Sequence, residues 1–283
     1  NLSEMQITII GLGLMGGSIA MALKGKCKMV FGVDTNPETI QYAIQNDIVD
    51  QASTHLESIP RQTEFIILAA PVQTILHLIQ ALPLHIENGA IVMDIGSTKR
   101  EIVTALNRLP DCFDPVGCHS MCGKENLTIR NADPEMFTGS TFAITPLERT
   151  SQATINLANE IATTIGSIPL LTDPETHDHW TAATSHLPYL LSLALSLSTP
   201  IEVVSLVGPG FKSTVRLAGT PKSMMVDILR TNRDEVLLHL NNYIAKLNEI
   251  AGLIDSSSFE KLSVLMEAGK EMKEFFTNGG QPE

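Results

Sequence analysis

The stretch ITIIGLGLMGGSIAMALKGK, residues 7–26, decides the fold class. Ile7, Ile9 and Ile10 form a short apolar, β-branched run, which predicts a buried strand. The pattern Gly11-x-Gly13-x-x-Gly16 follows, and the residues after it have the spacing of a helix. In such a turn the first glycine permits a tight bend, the second lets the backbone approach a pyrophosphate, and the third lets the helix pack closely on the strand. The stretch therefore predicts the start of a dinucleotide-binding fold.

An acid at the end of the second predicted strand indicates which dinucleotide binds. The strand KMVFGV, residues 28–33, ends at Asp34. A carboxylate at this place accepts hydrogen bonds from the ribose of NAD and repels the 2′-phosphate of NADP. We therefore predict NAD as the cofactor. The alternative is a nucleotide-free α/β turn in which Asp34 is only a solvated acid.

Composition limits the partners and the setting of the chain. It has 283 residues, is 43% hydrophobic and carries a formal net charge of −12, which argues against binding to nucleic acid or to an anionic membrane. The most apolar later run, residues 187–197, is too short to cross a bilayer. No secretory signal is recognisable, and the cysteines form no disulfide pattern. These features predict a soluble protein in the reducing setting of the cytoplasm.

The predicted secondary structure changes near residue 173. Before it, strand-like and helix-like segments alternate, which predicts a doubly wound, mostly parallel α/β sheet of the Rossmann type. After it, the chain reads as long helices, and residues 259–276 carry apolar side chains at helical spacing, as in a core or a dimer interface. We predict a dinucleotide-binding domain at residues 1–172 and an all-helical substrate and dimerisation domain at residues 173–283.

Ligands of open α/β sheets bind beyond the carboxyl ends of the strands. Three stretches at such places carry reactive side chains or close turns: AAPV at residues 69–72, DIGSTK at 94–99 and PVGCHSMCGKEN at 115–126. We expect the substrate to lie where these stretches meet the second domain. The predicted cofactor-binding residues are Gly11, Gly13, Leu14, Met15, Gly16, Asp34, Ala70, Pro71 and Ser97.

His119 is the best candidate for acid–base chemistry, because an imidazole takes up a proton near neutral pH. Its neighbours Gly117 and Gly123 predict a glycine-flanked loop that a ligand can approach. Ser97 is the second candidate, as a hydrogen-bond partner of a substrate hydroxyl. Alternatively, Ser97 or Thr98 caps the next helix.

A zinc site is a competing interpretation of the same region. Cys112, Cys118, His119 and Cys122 are ligand types, and His177 and His179 could add to them. Zinc sites normally show two Cys pairs, however, and only one such pair is present here. We therefore predict no metal.

Two residues of the helical half are candidates for binding a substrate. Arg216 follows a glycine-rich turn, and its guanidinium has the donor geometry that suits a carboxylate. His186 precedes Pro188, which can kink a helix and open a pocket. The plain alternatives are a surface ion pair for Arg216 and a buried, hydrogen-bonded core position for His186.

Taken together, these motifs resemble the prephenate/arogenate dehydrogenases of tyrosine biosynthesis. The resemblance implies an NAD-dependent homodimer with His119 as the catalytic histidine, Ser97 contacting the substrate hydroxyl, Arg216 binding the ring carboxylate and His186 lining the pocket. Departures from the family pattern are Cys118 within Cys-His-Ser-Met-Cys-Gly, Lys212 where arginine is common and Tyr189 where many prephenate-specific members have histidine. Six motifs carry the resemblance, and they occur in the same order as in the family: GLGLMGGSIA, DIGSTK, GCHSMCGKEN, NADPEMFTGSTFAITP, HDHWTAATSHLPYL and GFKSTVRLAGT.

The implied reaction is the oxidation of prephenate at C4 with loss of CO2, which gives 4-hydroxyphenylpyruvate, or of arogenate, which gives tyrosine. Tyr189 and Lys212 are then further candidates for substrate contacts. Two other functions stay open from the sequence. One is a dehydrogenase of similar build that acts on a β-hydroxy acid or a proline precursor, and the other is a dinucleotide-sensing protein without turnover.

Overall fold

A computed structural model describes residues 2–124 and 126–278. Glu125 of the 115–126 stretch and the outermost residues of the two predicted domains lie outside the described residues. Eight strands form one sheet in the order β3-β2-β1-β4-β5-β6-β7-β8, and all neighbouring strands are parallel except β6 and β7. The strands are β1 (Gln6–Ile10), β2 (Met29–Val33), β3 (Gln51–Ser53), β4 (Phe65–Leu68), β5 (Ile91–Asp94), β6 (Asp114–Ser120), β7 (Thr141–Pro146) and β8 (Ile168–Leu171).

Helices cover both faces of this sheet. The strands alternate their side chains between two apolar cores: in β4, for example, Phe65 and Ile67 enter one core and Ile66 and Leu68 the other. Burial on both faces explains why the central strands read as continuous apolar runs. The helices of this part are α1 (Leu14–Leu23), α2 (Pro37–Gln45), α3 (Val72–His85), α4 (Arg100–Leu106) and α5 (Gln152–Thr164).

After β8 the described chain is helical. A turn of π-helix, Ala182–His186, joins the first two helices of this region. The helical region is interrupted around Pro200 and Gly208, since α7 ends at Ser198 and α8 begins at Pro209. The helices are α6 (Pro174–Thr181), α7 (Leu187–Ser198), α8 (Pro209–Val215), α9 (Lys222–Thr231), α10 (Arg233–Asp255) and α11 (Phe259–Thr277).

The chain forms two compact units that divide after Glu235, within the first turn of α10. Helices α6 to α9 therefore belong to the unit that contains the sheet, and the second unit consists of the rest of α10 and of α11. The sequence-based boundary near residue 172 follows a change of secondary structure, whereas this division follows packing. In the part of the chain that the structure describes, no helix is both long and apolar enough to span a membrane.

The predicted fold class, a doubly wound sheet followed by helices, is confirmed. One local prediction is wrong: His119 does not lie in a loop but near the end of β6, where it pairs with Ala143 of β7. Pro115 and Gly117 conceal this strand in the sequence. Gly117 is required there, because a Cβ atom at this position would lie 2.3 Å from Oγ1 of Thr145.

Candidate functional site

The sheet order places the predicted cofactor and catalytic residues along one edge. Strands β2, β1, β4, β5 and β6 are consecutive neighbours, and they run parallel. Asp34, Gly11, Ala70, Ser97 and His119 lie at or just beyond their carboxyl ends. The order reverses between β1 and β4, which is where doubly wound sheets open a crevice for a ligand.

The glycine-rich turn is built so that only glycine fits at two positions. Gly11 has a φ of +95°, and a Cβ atom there would lie 2.4 Å from the carbonyl oxygen of Ala69. A Cβ atom on Gly16 would lie 1.8 Å from the carbonyl oxygen of Gly11. The start of α1 is thereby held directly against the end of β1. Such a cradle fits the pyrophosphate of a dinucleotide.

Asp34 stabilises the same turn. Its Oδ2 accepts a hydrogen bond from the amide of Leu12 at 2.8 Å, and its Oδ1 accepts one from the amide of Asn36 at 2.9 Å. The half-buried carboxylate thus lies beside the Gly-x-Gly turn, as the NAD prediction requires.

The other predicted cofactor residues begin two helices of this edge. Gly13 is the N-cap of α1, which starts with Leu14 and Met15. The Leu14 amide donates to the carbonyl of Leu127 at 2.8 Å. Pro71, after Ala70, is the N-cap of α3.

His119 is the first member of a hydrogen-bonded chain. Its Nδ1 lies 2.9 Å from Nε2 of His177, and Nδ1 of His177 lies 2.8 Å from Oδ1 of Asp178. His177 and Asp178 are buried in α6, whereas His119 is half-buried. Side chains alternate along a strand, so His119 points away from the core that contains Cys118.

Asp178 also caps α4. Its Oδ1 accepts a hydrogen bond from the amide of Lys99 at 2.7 Å, and its Oδ2 accepts one from the amide of Arg100 at 3.0 Å. The suggestion that Ser97 or Thr98 caps this helix is therefore wrong. The Thr98 hydroxyl instead pairs with that of Thr231 at 2.8 Å, while Ser97 stays half-buried at the edge.

His186 is tied to the same network by Asn232. The amide nitrogen of Asn232 donates to the carbonyl of Asp178 at 2.7 Å and lies 3.3 Å from Nδ1 of His186. The amide oxygen of Asn232 accepts from Arg100 at 2.9 Å. Because arginine can only donate, this orientation of the amide is fixed, and Nδ1 of His186 is the acceptor.

The surroundings of His119 and His186 keep these two histidines neutral. Burial lowers the pKa of His119 well below its usual value, and the nearby His177, Lys99 and His186 lower it further. Burial also lowers the pKa of His186 to about 4, although Asp178 opposes this shift. A neutral His119 is an acceptor for a proton at pH 7.

A buried ion pair, formed by Lys99 and Asp94, contacts the backbone of the residue before His119. The ammonium group of Lys99 contacts Oδ2 of Asp94 and the carbonyl of Cys118, and neither charged side chain is exposed to solvent. Burial raises the pKa of the Asp94 carboxyl, and Lys99 with the amides of Gly96 and Cys118 counteracts this rise. The pair connects the end of β5 to the strand residue that precedes His119.

The predicted substrate residues Tyr189, Lys212 and Arg216 lie on α7, on α8 and at the turn Arg216–Gly219. Tyr189 is half-buried, and Lys212 and Arg216 are exposed. Buried Ser192 of α7 accepts a hydrogen bond from the amide of Ala218 at 2.8 Å. The turn of Arg216 is thereby anchored to the helix that begins after His186.

The cysteines do not favour the zinc interpretation. Cys112 is exposed, whereas Cys118 is fully buried in the apolar core of the sheet. Burial raises the pKa of the Cys118 thiol well above its usual value and also raises that of Cys122. Zinc binds thiolates, which these surroundings disfavour.

Sequence reasoning missed several residues of this network. The sequence predicts His177 only as a possible metal ligand, and it assigns no role to Asp178, Asn232, Lys99 or Ser192. A partial signal existed, because charged residues in apolar segments, such as Asp94 and Lys99 in VMDIGSTK, need a buried partner. The pairing of His119 with His177 had no local signal, since the two are distant in sequence.

This geometry defines a class: a Rossmann-type nucleotide-binding protein with a neutral histidine at the carboxyl edge of its sheet. Two family models match the chain, the nucleotide-binding domain of prephenate dehydrogenase over residues 19–168 and its dimerization domain over residues 173–268. The chain therefore belongs to the prephenate dehydrogenase family. The predicted family and oxidoreductase class are confirmed.

Similar proteins agree with this assignment. Prephenate dehydrogenase from Bacillus subtilis is 27% identical over 96% of this chain and 77% of its own length. Prephenate dehydrogenase from Aquifex aeolicus, solved with hydroxyphenyl propionate and NAD+, is 28% identical with a TM-score of 0.89, covering 98% of this chain and 99% of that one. Arogenate dehydrogenase from Synechocystis is 26% identical with a TM-score of 0.83, and the match covers 96% of this chain and 100% of that one.

Breaking the buried pair should destabilise the protein strongly. Lys99→Met leaves Asp94 buried without its counter-charge, so we expect the free energy of unfolding at neutral pH to fall by about 3–5 kcal/mol. The Asp94 pKa in the folded variant should then exceed its unfolded value. The variant should therefore regain stability as the pH falls and lose it as the pH rises.

Urea denaturation at several pH values measures this effect. Asp94→Asn combined with Lys99→Met should recover part of the loss, because no buried charge remains. Lys124→Met, which breaks the exposed pair of Lys124 and Asp133, is the matched control and should change stability by no more than about 0.5 kcal/mol. A Lys99→Met variant as stable as the wild type would contradict the role of the pair.

Proposed function

We propose that this protein oxidises prephenate with NAD+ and releases CO2 and 4-hydroxyphenylpyruvate. The observation that carries the proposal is the neutral His119 at the carboxyl edge of the sheet, with its Nδ1 engaged by His177. That arrangement leaves Nε2 as the nitrogen that can take a proton from a substrate hydroxyl. Membership of the prephenate dehydrogenase family supports the choice of substrate.

The cofactor is NAD. The match to a nucleotide-binding domain and the NAD+ bound in the similar Aquifex structure support this conclusion. Within this chain, Gly11 and Gly16 form the cradle for the pyrophosphate, and Asp34 lies where it can bind the ribose hydroxyls. When bound, NAD+ supplies the hydride acceptor.

His119 is the general base of the proposed reaction. It accepts the proton of the C4 hydroxyl as C4 becomes a carbonyl carbon and the C4 hydride leaves. The electrons of the bond between C1 and its carboxylate then move into the ring, CO2 leaves and the ring becomes aromatic. Aromatisation makes the reaction effectively irreversible.

The remaining predicted residues orient the substrate. Ser97, at the end of β5, is a hydrogen-bond partner for the C4 hydroxyl. Arg216 binds the ring carboxylate, with Lys212 nearby in the same segment. His186 carries its proton on Nε2 and serves as a donor in the pocket, and Tyr189, one turn further along α7, faces the side chain of the substrate.

Initial rates of NADH formation test the proposal directly. Prephenate and arogenate are each assayed with NAD+ and with NADP+, and we expect the highest kcat/KM for prephenate with NAD+. Faster turnover of arogenate would make the protein an arogenate dehydrogenase. A preference for NADP+ would contradict the role of Asp34, and no turnover of either substrate would contradict the proposed function.

His119→Asn tests the base in the same assay. The substitution should lower kcat by about 10²–10⁴-fold and leave KM for NAD nearly unchanged. Since burial, His177, Lys99 and His186 all lower the pKa of His119, wild-type kcat should persist below pH ~6.5 and fall only as the pH passes through the lowered pKa. An Asn variant that retains most of its kcat would contradict the assignment.

Arg216→Ala should raise KM for prephenate by about ten- to a hundredfold. A charge-assisted hydrogen bond contributes about 1.5–3 kcal/mol, and ~1.4 kcal/mol corresponds to a tenfold change. KM for NAD should change little, and Arg216→Lys should recover only part of the loss, because lysine lacks the planar fork of donors. If KM for prephenate is unchanged in Arg216→Ala, the carboxylate binds elsewhere, and Lys212 is the next residue to substitute.

The protein acts as a homodimer in the cytoplasm. The match to a dimerization domain supports the dimer, and the four cysteines, all free thiols, suit a reducing compartment. Helices α10 and α11 also expose large apolar side chains, namely Leu247, Ile254, Phe259, Val264, Met266, Met272, Phe275 and Phe276. Exposed apolar area of this kind marks interaction surfaces.

Light scattering at micromolar concentration should therefore give the mass of a dimer. Phe276→Glu places a charge on the exposed surface of α11, so it should shift the population toward monomer without unfolding the chain. The exposed change Lys270→Glu on the same helix is the control for added negative charge. A monomeric wild type would contradict the proposed dimer.

A further inference from the structure

We propose that His177 and Asp178 are positioning residues, which hold His119 in the tautomer with its proton on Nδ1 and so present Nε2 to the substrate as the base. This inference rests on the proposed function for its catalytic meaning. Its structural content, the tautomer of His119, stands on the hydrogen bonds alone.

Asp178 sets the donor and acceptor order of the hydrogen bonds that link His119, His177 and Asp178. An ionised carboxylate can only accept hydrogen bonds, and Asp178 faces the amides of Lys99 and Arg100 and Nδ1 of His177. Burial alone would raise the pKa of Asp178, but the hydrogen bonds from His177 and from both amides hold it below its usual value. Asp178 therefore stays ionised, and Nδ1 of His177 must carry a proton.

The next step depends on the two ring nitrogens of a neutral imidazole, of which one donates a hydrogen bond and the other accepts one. In a neutral His177 with its proton on Nδ1, Nε2 is an acceptor. The partner of that nitrogen, at 2.9 Å, is Nδ1 of His119, which must then be the donor. Nε2 of His119 is left without a proton, as a general base requires.

Arg100 supplies the positive charge beside Asp178. Nε of Arg100 lies 3.4 Å from Oδ2 of Asp178, so this carboxylate already has a cationic partner. A protonated His177 would donate to Nδ1 of His119 and move the proton of His119 to Nε2. That arrangement would block the base.

The network also accommodates the charge that forms during turnover. When Nε2 of His119 takes the substrate proton, the resulting imidazolium keeps its Nδ1 proton in the hydrogen bond to His177. No proton needs to reach Asp178. Its carboxylate stabilises the positive charge through His177, while the nearby ammonium of Lys99 opposes that charge and favours return of the proton to solvent.

Side-chain ¹⁵N NMR of histidine-labelled protein tests the tautomer without any substrate. In the wild type we expect the His119 resonances, assigned by their loss in His119→Asn, to show a protonated Nδ1 and a bare Nε2. A bare Nδ1 with a protonated Nε2 would overturn the proposal. This readout is independent of turnover, so a wrong substrate assignment would leave it intact.

Kinetics of matched variants test the consequence. His177→Phe removes the acceptor for His119, so kcat should fall by about 10- to 100-fold, the cost of one charge-assisted hydrogen bond, while KM for NAD changes less than about threefold. His177→Gln offers a carbonyl oxygen to the same donor and should recover most of the kcat. The rescue separates positioning from a merely structural role.

His179→Gln is the control. His179 lies two positions further along α6, and its Nδ1 contacts Glu235 at 2.7 Å. We expect it to leave kcat and the His119 tautomer unchanged. If His177→Phe keeps its kcat, or if Phe does not fold and His177→Gln lowers kcat as far as His119→Asn does, a positioning role through hydrogen-bond acceptance is wrong.

Discussion

A single buried carboxylate, Asp178, joins three parts of the site. It accepts hydrogen bonds from the two amides that begin α4 and from the ring of His177, and Arg100 lies beside it. An unpaired carboxylate in this position would cost several kcal/mol, so each donor is needed to stabilise the ionised group. In return, the carboxylate fixes the helix after the Ser97 turn and the histidine behind His119. The same atoms thus serve folding and chemistry.

The sequence predicted the features that depend on local pattern. The glycine-rich turn fixes the first strand, the first helix and the place of the nucleotide, because a Cβ atom at Gly11 or Gly16 would collide with the backbone. The apolar runs of β4 and β5 were recognisable because buried parallel strands are apolar on both faces. His119, Ser97 and Asp34 could then be predicted as site residues from their places near the carboxyl ends of strands, where such sheets bind ligands.

The features that stayed hidden depend on partners that are distant along the chain. The end of strand β6 resembles a loop in the sequence, because Pro115 and Gly117 are poor strand formers that only the neighbouring strands accommodate. Local rules place the cap of α4 at Ser97 or Thr98, but the acceptor is Asp178, far along the chain. Likewise, Asn232 shows no motif, although it fixes the orientation of His186.

The turn of π-helix at Ala182–His186 sets the relative direction of two histidines of the site, His177 and His186. In an uninterrupted α-helix of ~3.6 residues per turn, His177 and His186 would be separated by about two and a half turns and would point to opposite sides. The wider turn accommodates an additional residue, and both rings instead belong to the network around Asp178 and Asn232. A regular helix of unchanged length would therefore turn one histidine away from the other, whereas loss of the additional residue would leave them about 2.2 turns apart and on similar sides. A redesign that straightens this turn into regular helix at unchanged length would therefore turn His186 away from His177 and from the network behind His119.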